Sequence, residues 1–375
     1  MVAADYKLKD RLGPAVPVHI GGWISGVDPA FRADLFIADA TAGLDDLELL
    51  ARARHVAHAM HDHLPSDQAR ALSILTESLP TQRPDGEWKG HPGFALFAYV
   101  EYVSAYGLPA FDEAMTLQYQ LTKLLTAELS IRTFIDNDYE RTMRQLEVWV
   151  TDDSEHVRRL VSEGTRPRLP WSPRLRRFQA DTSPILPLLD QLKDDPSEYV
   201  RRSVANNLND IGKDHPDVLL EVASDWYQPD SRPNRKRLVR HALRSLVKAG
   251  NLEALAVLGY FPSSELIVDQ LDLVPESPRI GQRLVINGSV RNSGDRETGV
   301  LVDISVAFRK ANTRSSTKVF KGAQFTLDPG ESRTVTKSIS LAQHSTRKHH
   351  PGLHRVGLLV NGVECDSAEF ELLPT

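Results

Sequence analysis

A lone cysteine, Cys365, is all the thiol that the 375 residues contain. No disulfide can close within the chain, and a reducing compartment is expected. Apolar runs long enough to span a bilayer are lacking, so no membrane partner is expected. The opening Met1-Val-Ala-Ala-Asp-Tyr-Lys-Leu-Lys-Asp10 has none of the apolar character of a signal peptide, which favours a cytoplasmic location. There is no Gly-rich phosphate loop, no nucleophile elbow and no His-Glu-x-x-His, so neither cofactor nor metal is expected. A surplus of positive charge is also missing. The chain carries 45 Lys and Arg against 50 Asp and Glu, a formal net charge of −5, and announces no nucleic-acid partner by its global field.

The distribution of charge says more. Residues 155–180 hold seven arginines against two glutamates, and 231–250 hold seven Lys and Arg with no acid. Local basic stripes on an acidic protein still bind phosphate, because screening confines each charge to roughly 8–10 Å. The first stripe opens on Ser154-Glu-His-Val-Arg-Arg-Leu-Val161, and the pattern returns 43 residues later as Ser197-Glu-Tyr-Val-Arg-Arg-Ser-Val204. A third copy falls near His241–Gly250. A period of this length is that of stacked helix pairs of the HEAT/armadillo class. In each unit an apolar first helix (Thr142–Val150, Pro184–Leu192) leads through an acidic turn to a second helix, with Ser154 or Ser197 as its expected cap. Upstream, residues 1–30 are rich in Pro and Gly and read as an irregular lead-in. One long helix is expected over Ala110–Asp136, and a loop containing Pro84-Asp-Gly86 precedes it.

After Pro262 the pattern turns to strand alternation, as in Val300-Leu-Val-Asp-Ile-Ser-Val-Ala-Phe308, with turns at Asn292-Ser-Gly-Asp295, Asp328-Pro-Gly330 and Asn361-Gly362. About seven short strands suggest an immunoglobulin-like sandwich. The fold expected is an all-α HEAT-like solenoid over 1–262 followed by an all-β sandwich over 266–375.

On a solenoid, second helices of successive repeats line one side, so Glu163 and Asn206 are expected neighbours. Arg202, Asn206 and Asp210 share one helix face, as do Arg159 and Glu163. An ordinary solvated face with i,i+4 pairs gives the same spacing. Glu163 precedes Gly164, a helix stop, and then Thr165-Arg-Pro-Arg-Leu-Pro-Trp-Ser-Pro173, whose prolines stiffen the backbone around Trp171. That tryptophan either meets a planar or cationic partner or plugs the core between repeats. Glu128 in an apolar helix is costly unless paired or functional, or else it lies on the polar edge of that helix. His55, His58, His61 and His63 read as imidazoles at a helix C-terminus rather than metal ligands. Arg347-Lys-His-His-Pro-Gly-Leu-His-Arg355 reads as a basic loop, either facing phosphate or simply solvated.

Val157-Arg-Arg-Leu-Val-Ser-Glu-Gly-Thr-Arg-Pro-Arg-Leu-Pro-Trp171 and Val200-Arg-Arg-Ser-Val-Ala-Asn-Asn-Leu-Asn-Asp210, with Thr126–Phe134 upstream, resemble the AlkC branch of the bacterial DNA alkylation repair glycosylases. These are HEAT-like-repeat proteins related to AlkD, and some carry an immunoglobulin-like domain, which Leu327-Asp-Pro-Gly-Glu331 resembles. The match departs from the common pattern at Asn206-Asn207 and Gly212. The resemblance implies excision of cationic 3-methyladenine and 3-methylcytosine from duplex DNA, with Glu128, Glu163 and Asp210 as the acids at the lesion and Trp171 against it. The expected roles are Asp210 and Glu163 toward the sugar and water, Glu128 and Asn206 toward the lesion, and Arg159, Arg166, Arg168, Arg202, Arg235, Lys236 and Arg237 toward phosphates. The expected partner is double-stranded DNA containing alkylated bases, bound by a monomer. The alternative is a HEAT module that grips DNA or a partner protein without cutting.

Overall fold

The computed structural model describes residues 7–81, 92–311, 314–343 and 348–375. The Pro84-Asp-Gly86 turn and Arg347 of the basic segment lie outside them. The chain divides into two compact units, Met1–Asp214 and His215–Thr375.

The first unit is helical. Its lead-in is not irregular: Ala15–Val27 forms a helix in spite of Pro17, Gly21, Gly22 and Gly26. Pro17 sits in the first turn, where its missing N–H has no intrahelical acceptor to lose. Val16, Ile20 and Ile24, spaced by four, are buried, which outweighs the weak propensity of the glycines. The single helix expected over Ala110–Asp136 is two, Phe111–Leu124 and Ser130–Asn137. They break where Thr126 bonds locally: its hydroxyl accepts from the Glu128 N–H at 3.3 Å and donates to the Glu128 carboxylate at 2.8 Å. Such side-chain-to-backbone bonds compete with the helix. Glu128 therefore sits in a turn and not on an apolar helix.

The 43-residue period is visible as repeated chemistry. The helices Glu155–Gly164 and Glu198–Ile211 pack side by side, each preceded by its own short partner, Tyr139–Trp149 and Leu186–Leu192. Ser154 and Ser197 hold the N-cap positions, but neither hydroxyl caps its helix. The aspartate two residues earlier does the fixing: Asp152 accepts from Ser154 N–H and Asp195 from Ser197 N–H, both at 2.8 Å. The Ser197 hydroxyl is drawn away to Glu155. The first arginine of each pair returns to the preceding turn. Arg158 donates to the carbonyls of Asp152 and Asp153, and Arg201 to those of Asp195 and Pro196. Arg158 also grips Asp195 at 2.6 Å, tying one turn to the next.

Among its described residues the second unit holds the helices Pro216–Trp226, Pro233–Ala242, Arg244–Lys248 and Leu252–Val257, then seven strands. These are β1 (Leu266–Val274), β2 (Arg283–Asn292), β3 (Thr298–Arg309), β4 (Ser315–Leu327), β5 (Ser332–Ser340), β6 (Gly352–Val360) and β7 (Val363–Leu372). They form two antiparallel sheets ordered β1-β2-β5 and β4-β3-β6-β7. The inward residues of both, among them Leu284, Ile286, Val302, Ile304, Val356 and Leu358, make one apolar core, as the alternation predicts. The Asn361-Gly362 hairpin has positive φ at both residues, 48° and 84°, the conformation that pair favours. The segment after Arg347 is no solvated basic loop. His349 and His354 are buried, and the His354 ring stacks on Phe370 at 5.1 Å within β6 and its neighbour β7.

Candidate active site

The second arginine of the first repeat, Arg159, begins the site. Its guanidinium donates to Glu128 at 2.8 Å and to Thr126 at 3.2 Å, and reaches Glu163 at 3.6 Å. It lies over the Tyr199 ring at 4.7 Å. One turn on, Glu163 takes a bond from Arg166 at 2.6 Å on one oxygen and from the Ser203 hydroxyl at 2.6 Å on the other. Arg166 continues to Asp210, with Nε at 2.8 Å and Nη2 at 2.7 Å from the same oxygen. The remaining Asp210 oxygen accepts from Lys213 at 2.7 Å. Acid and base thus alternate along one chain: Glu128, Arg159, Glu163, Arg166, Asp210, Lys213. Three carboxylates from three separate segments meet in it.

Burial explains why each is paired. Asp210 is 0 % and Glu163 5 % exposed, and an isolated charge at that depth is very costly. Burial alone pulls the Arg159 and Arg166 guanidinium groups toward neutrality. Glu128 and Glu163 around the first, and Glu163 and Asp210 around the second, more than offset it and raise both pKa values. Lys213 is the open end of the chain, with nearly half of its side chain exposed.

The segment Thr165–Leu175 passes beside this network. Arg132, buried, holds it from the side, donating to the carbonyls of Gly164 at 3.1 Å, Arg166 at 2.6 Å and Pro173 at 2.6 Å. Burial depresses the Arg132 pKa to about 10. Asn207 pins the helix end, donating to the Ser162 carbonyl at 2.8 Å and the Thr165 hydroxyl at 3.1 Å. Gly164 is the last helical residue, and its φ is not positive. Glycine is required there by closeness: a Cβ would lie 2.5 Å from the Ile131 methyl. Trp171, held in this segment, has φ of 63° and is 65 % exposed. It does not plug a core. A bulky residue kept in the left-handed region costs about 1–3 kcal/mol and points to a function for the exposed ring.

Glu128, Glu163, Asp210, Arg159 and Arg166 are thus brought together. Glu163 meets Ser203, one turn before Asn206, which is half-buried on the same helix. Arg166 and Arg159 turn toward carboxylates, and Arg168 is held by Asp214, with Nε at 2.7 Å. Arg202 is exposed. In the second unit Arg237 is exposed, while Lys236 donates to the Pro229 carbonyl at 2.6 Å and Arg235 is half-buried. Sequence reading missed Arg132, Ser203, Asn207 and Lys213. Arg132 leaves a signal, a lone arginine among Ile131, Phe134 and Ile135. Of the histidines, His58 bonds the Tyr106 hydroxyl at 2.8 Å, His61 stacks on the Tyr106 ring at 3.9 Å, and His63 bonds Asp39 at 2.7 Å. Among the described residues no cluster of three or more His, Cys, Asp or Glu could hold a metal.

Fold and site together define a helical protein with a C-terminal immunoglobulin-like sandwich, carrying a buried chain of carboxylates and cations beside an exposed tryptophan. The family model described as uncharacterised protein YhaZ, C-terminal Ig-like domain, matches residues 267–374. Uncharacterized protein YhaZ of Bacillus subtilis (strain 168) is 35 % identical over 347 residues, covering 92 % of this chain and 93 % of that one. The structure of Pseudomonas fluorescens alkylpurine DNA glycosylase AlkC, bound to DNA containing an abasic site analog, superposes with a TM-score of 0.87 at 36 % identity, over 98 % of this chain and 99 % of that one. The chain belongs to the family that YhaZ and AlkC represent.

Proposed function

We propose that this chain is a DNA glycosylase of alkylation repair. It hydrolyses the N-glycosidic bond of cationic N3-alkylated bases, 3-methyladenine and 3-methylcytosine, in duplex DNA. The observation that carries the reading is the meeting of Glu128, Glu163 and Asp210 in one fixed network. An N3-alkylated base already bears a positive charge and leaves without a strong general acid. As the C1′–N bond breaks, its electron pair passes to the base and neutralises it, and positive charge appears on the sugar. A carboxylate in contact with that sugar stabilises the oxocarbenium-like transition state. Water then forms the new C1′–O bond and gives up its proton to a carboxylate or to solvent.

The network suits this work because it is preorganised. Arg166 and Ser203 fix both oxygens of Glu163. Lys213, the exposed cation, can swing to solvent and cede one oxygen of Asp210 to the cationic substrate. Glu128, in its turn, stands at the outer end of the chain and is assigned to the lesion, with Asn206. Trp171 offers its exposed face to the cationic nucleotide. Arg159 and Arg166 hold carboxylates in place, and we assign them that task beside the phosphate role expected of them. Arg168, Arg202, Arg235, Lys236 and Arg237 are assigned to the DNA backbone. We assign this chemistry to a HEAT-like solenoid over 1–262, with the sandwich over 266–375 as a separate domain, in a cytoplasmic monomer.

Glu163→Gln and Asp210→Asn test the reading on methylated duplex DNA, with released bases measured by chromatography. Each should lose ~100-fold or more in single-turnover rate, the scale of a lost electrostatic stabiliser. Binding to a duplex with an abasic analogue should persist, and circular dichroism should show a folded protein. Undiminished release of 3-methyladenine by both folded variants refutes the assignment.

A further inference from the structure

Five arginines and no acid stand between Thr165 and Ala180. Trp171 divides them. The two before it have carboxylate partners: Arg166 bridges Glu163 and Asp210, and Arg168 is held by Asp214. Arg174, Arg176 and Arg177 come after it, and all three are exposed. Arg177 lies over the Tyr139 ring at 4.0 Å. Arg174 and Arg176 make no ion pair and no side-chain hydrogen bond among the described residues. Their direction follows from Leu175 between them. Its backbone is extended, with φ −77° and ψ 92°, and its side chain is buried. Neighbours on either side of such a residue point the opposite way, so both guanidinium groups face solvent on one side of the chain.

The loop that carries them is fixed. The Leu175 N–H bonds to the Pro167 carbonyl at 3.2 Å and closes it. Leu169 and Leu175 are buried on either side of the exposed Trp171. Arg132 donates to the carbonyl of Pro173, the residue directly before Arg174. Folding has therefore already ordered the backbone beneath the two cations, so a partner need only order their side chains. Two adjacent cations without counter-ions repel one another in the free protein, and gain most from a partner with negative charge repeated along its length. The same loop presents the Trp171 ring, so that partner meets an aromatic face as well.

We propose that Arg174 and Arg176 grip the DNA backbone close to the lesion, so that one rigid loop engages the acids through Arg166 and the phosphates through the two arginines beyond Trp171. This rests on the glycosylase reading and adds to it two contacts and their position. Arginine suits the task, because its planar fork pairs with two phosphate oxygens at once. From Trp171 to Arg176 the chain spans at most about 18 Å even when extended. At a rise of about 3.4 Å per nucleotide, and with Trp171 at the lesion, the phosphates concerned lie within about five nucleotides of it.

Fluorescence anisotropy of the full chain on a duplex with an abasic analogue, across a range of salt concentrations, tests this. Arg174→Gln and Arg176→Gln should each weaken binding about threefold to tenfold and flatten the slope of log K against log salt by about 1 unit, with unchanged melting temperatures. Arg174→Lys, which keeps the charge, should keep the slope. A second set of duplexes carries one uncharged methylphosphonate in place of a phosphate, moved stepwise along both strands. At a linkage within about five nucleotides of the analogue, the neutral group should weaken the unaltered chain about threefold or more and the matching Gln variant less than about twofold, because the contact is already gone. Full affinity and slope in both Gln variants overturn the proposal. So do variants whose losses are the same at every neutral linkage, which is what a disturbed loop would give. Base release from methylated duplex by the unaltered chain reports on the glycosylase reading separately. Release without either arginine effect sinks only the two contacts, and a chain that binds no duplex sinks both.

Discussion

At the scale of single residues, function rests on side chains held against their own preferences. Arg132 is a buried cation whose bonds go to three backbone carbonyls of one segment. Arg132→Met keeps the bulk and leaves those carbonyls without donors. It should destabilise the first unit by about 2–4 kcal/mol, read as a lower urea midpoint. Hydrogen exchange should quicken first over 165–175, and loss of excision should exceed loss of fold. Trp171 is the converse case, since its backbone sits at φ 63° while its ring is exposed. Trp171→Gly should raise the urea midpoint by an amount equal to about 1 kcal/mol, because glycine adopts that region freely. The same change should weaken binding to a lesion-bearing duplex.

At the scale of elements, tight contact and burial set two further expectations. The helix Glu155–Gly164 ends against Ile131, with no room for a methyl group at Gly164. Gly164→Ala should cost about 1–3 kcal/mol. Coupled with Ile131→Ala it should cost less than the sum, and a strictly additive double-mutant cycle would exclude the contact as the cause. In the sandwich, burial lowers the His354 pKa below its ordinary 6.5. The unfolded chain then binds the extra proton first. Stability from this group is full above about pH 6.5, falls as pH drops through that value, and levels off below the folded pKa. His354→Gln, which cannot take up that proton, should show a smaller loss of urea resistance between about pH 7.5 and 5.5.

The elements also show what the chain reveals unaided. The repeats were legible because Val157, Val161, Val200 and Val204 mark buried helix faces at a fixed interval. The strands were legible because alternation and turn residues agree at Asp328-Pro-Gly330 and Asn361-Gly362. Two features misled. Pro17 and three glycines hid a first helix that buried Ile20 and Ile24 hold in place. Thr126 hid a break, since nothing in an apolar stretch tells that a hydroxyl will prefer its neighbour's backbone. Within the site, Glu163 and Asp210 were legible as carboxylates on the faces of successive second helices, the three acids together with Glu128 came only with the family resemblance, and their pairing was not legible. That Arg166 would turn inward to bridge Glu163 and Asp210 depends on the path after Gly164, which only the folded chain defines.

At the scale of the whole molecule, a net charge of −5 means that the proposed DNA partner would be held by local patches against a repulsive background. Affinity for undamaged duplex should therefore fall steeply with salt, since each phosphate contact releases a counterion. Arg237→Gln should flatten the slope of log K against log salt by about 1 unit and leave the rate on bound lesions unchanged. An unchanged slope would remove Arg237 from the DNA contacts.

The left-handed turn at Trp171 bears on how variants of this protein ought to be selected. A library at that position, sorted for soluble yield or heat resistance, would enrich glycine and discard the native indole. On the proposed function, the best-behaved clones would be the ones least able to protect a cell from methylating agents. Survival under alkylation, and not expression, is the readout that would return tryptophan.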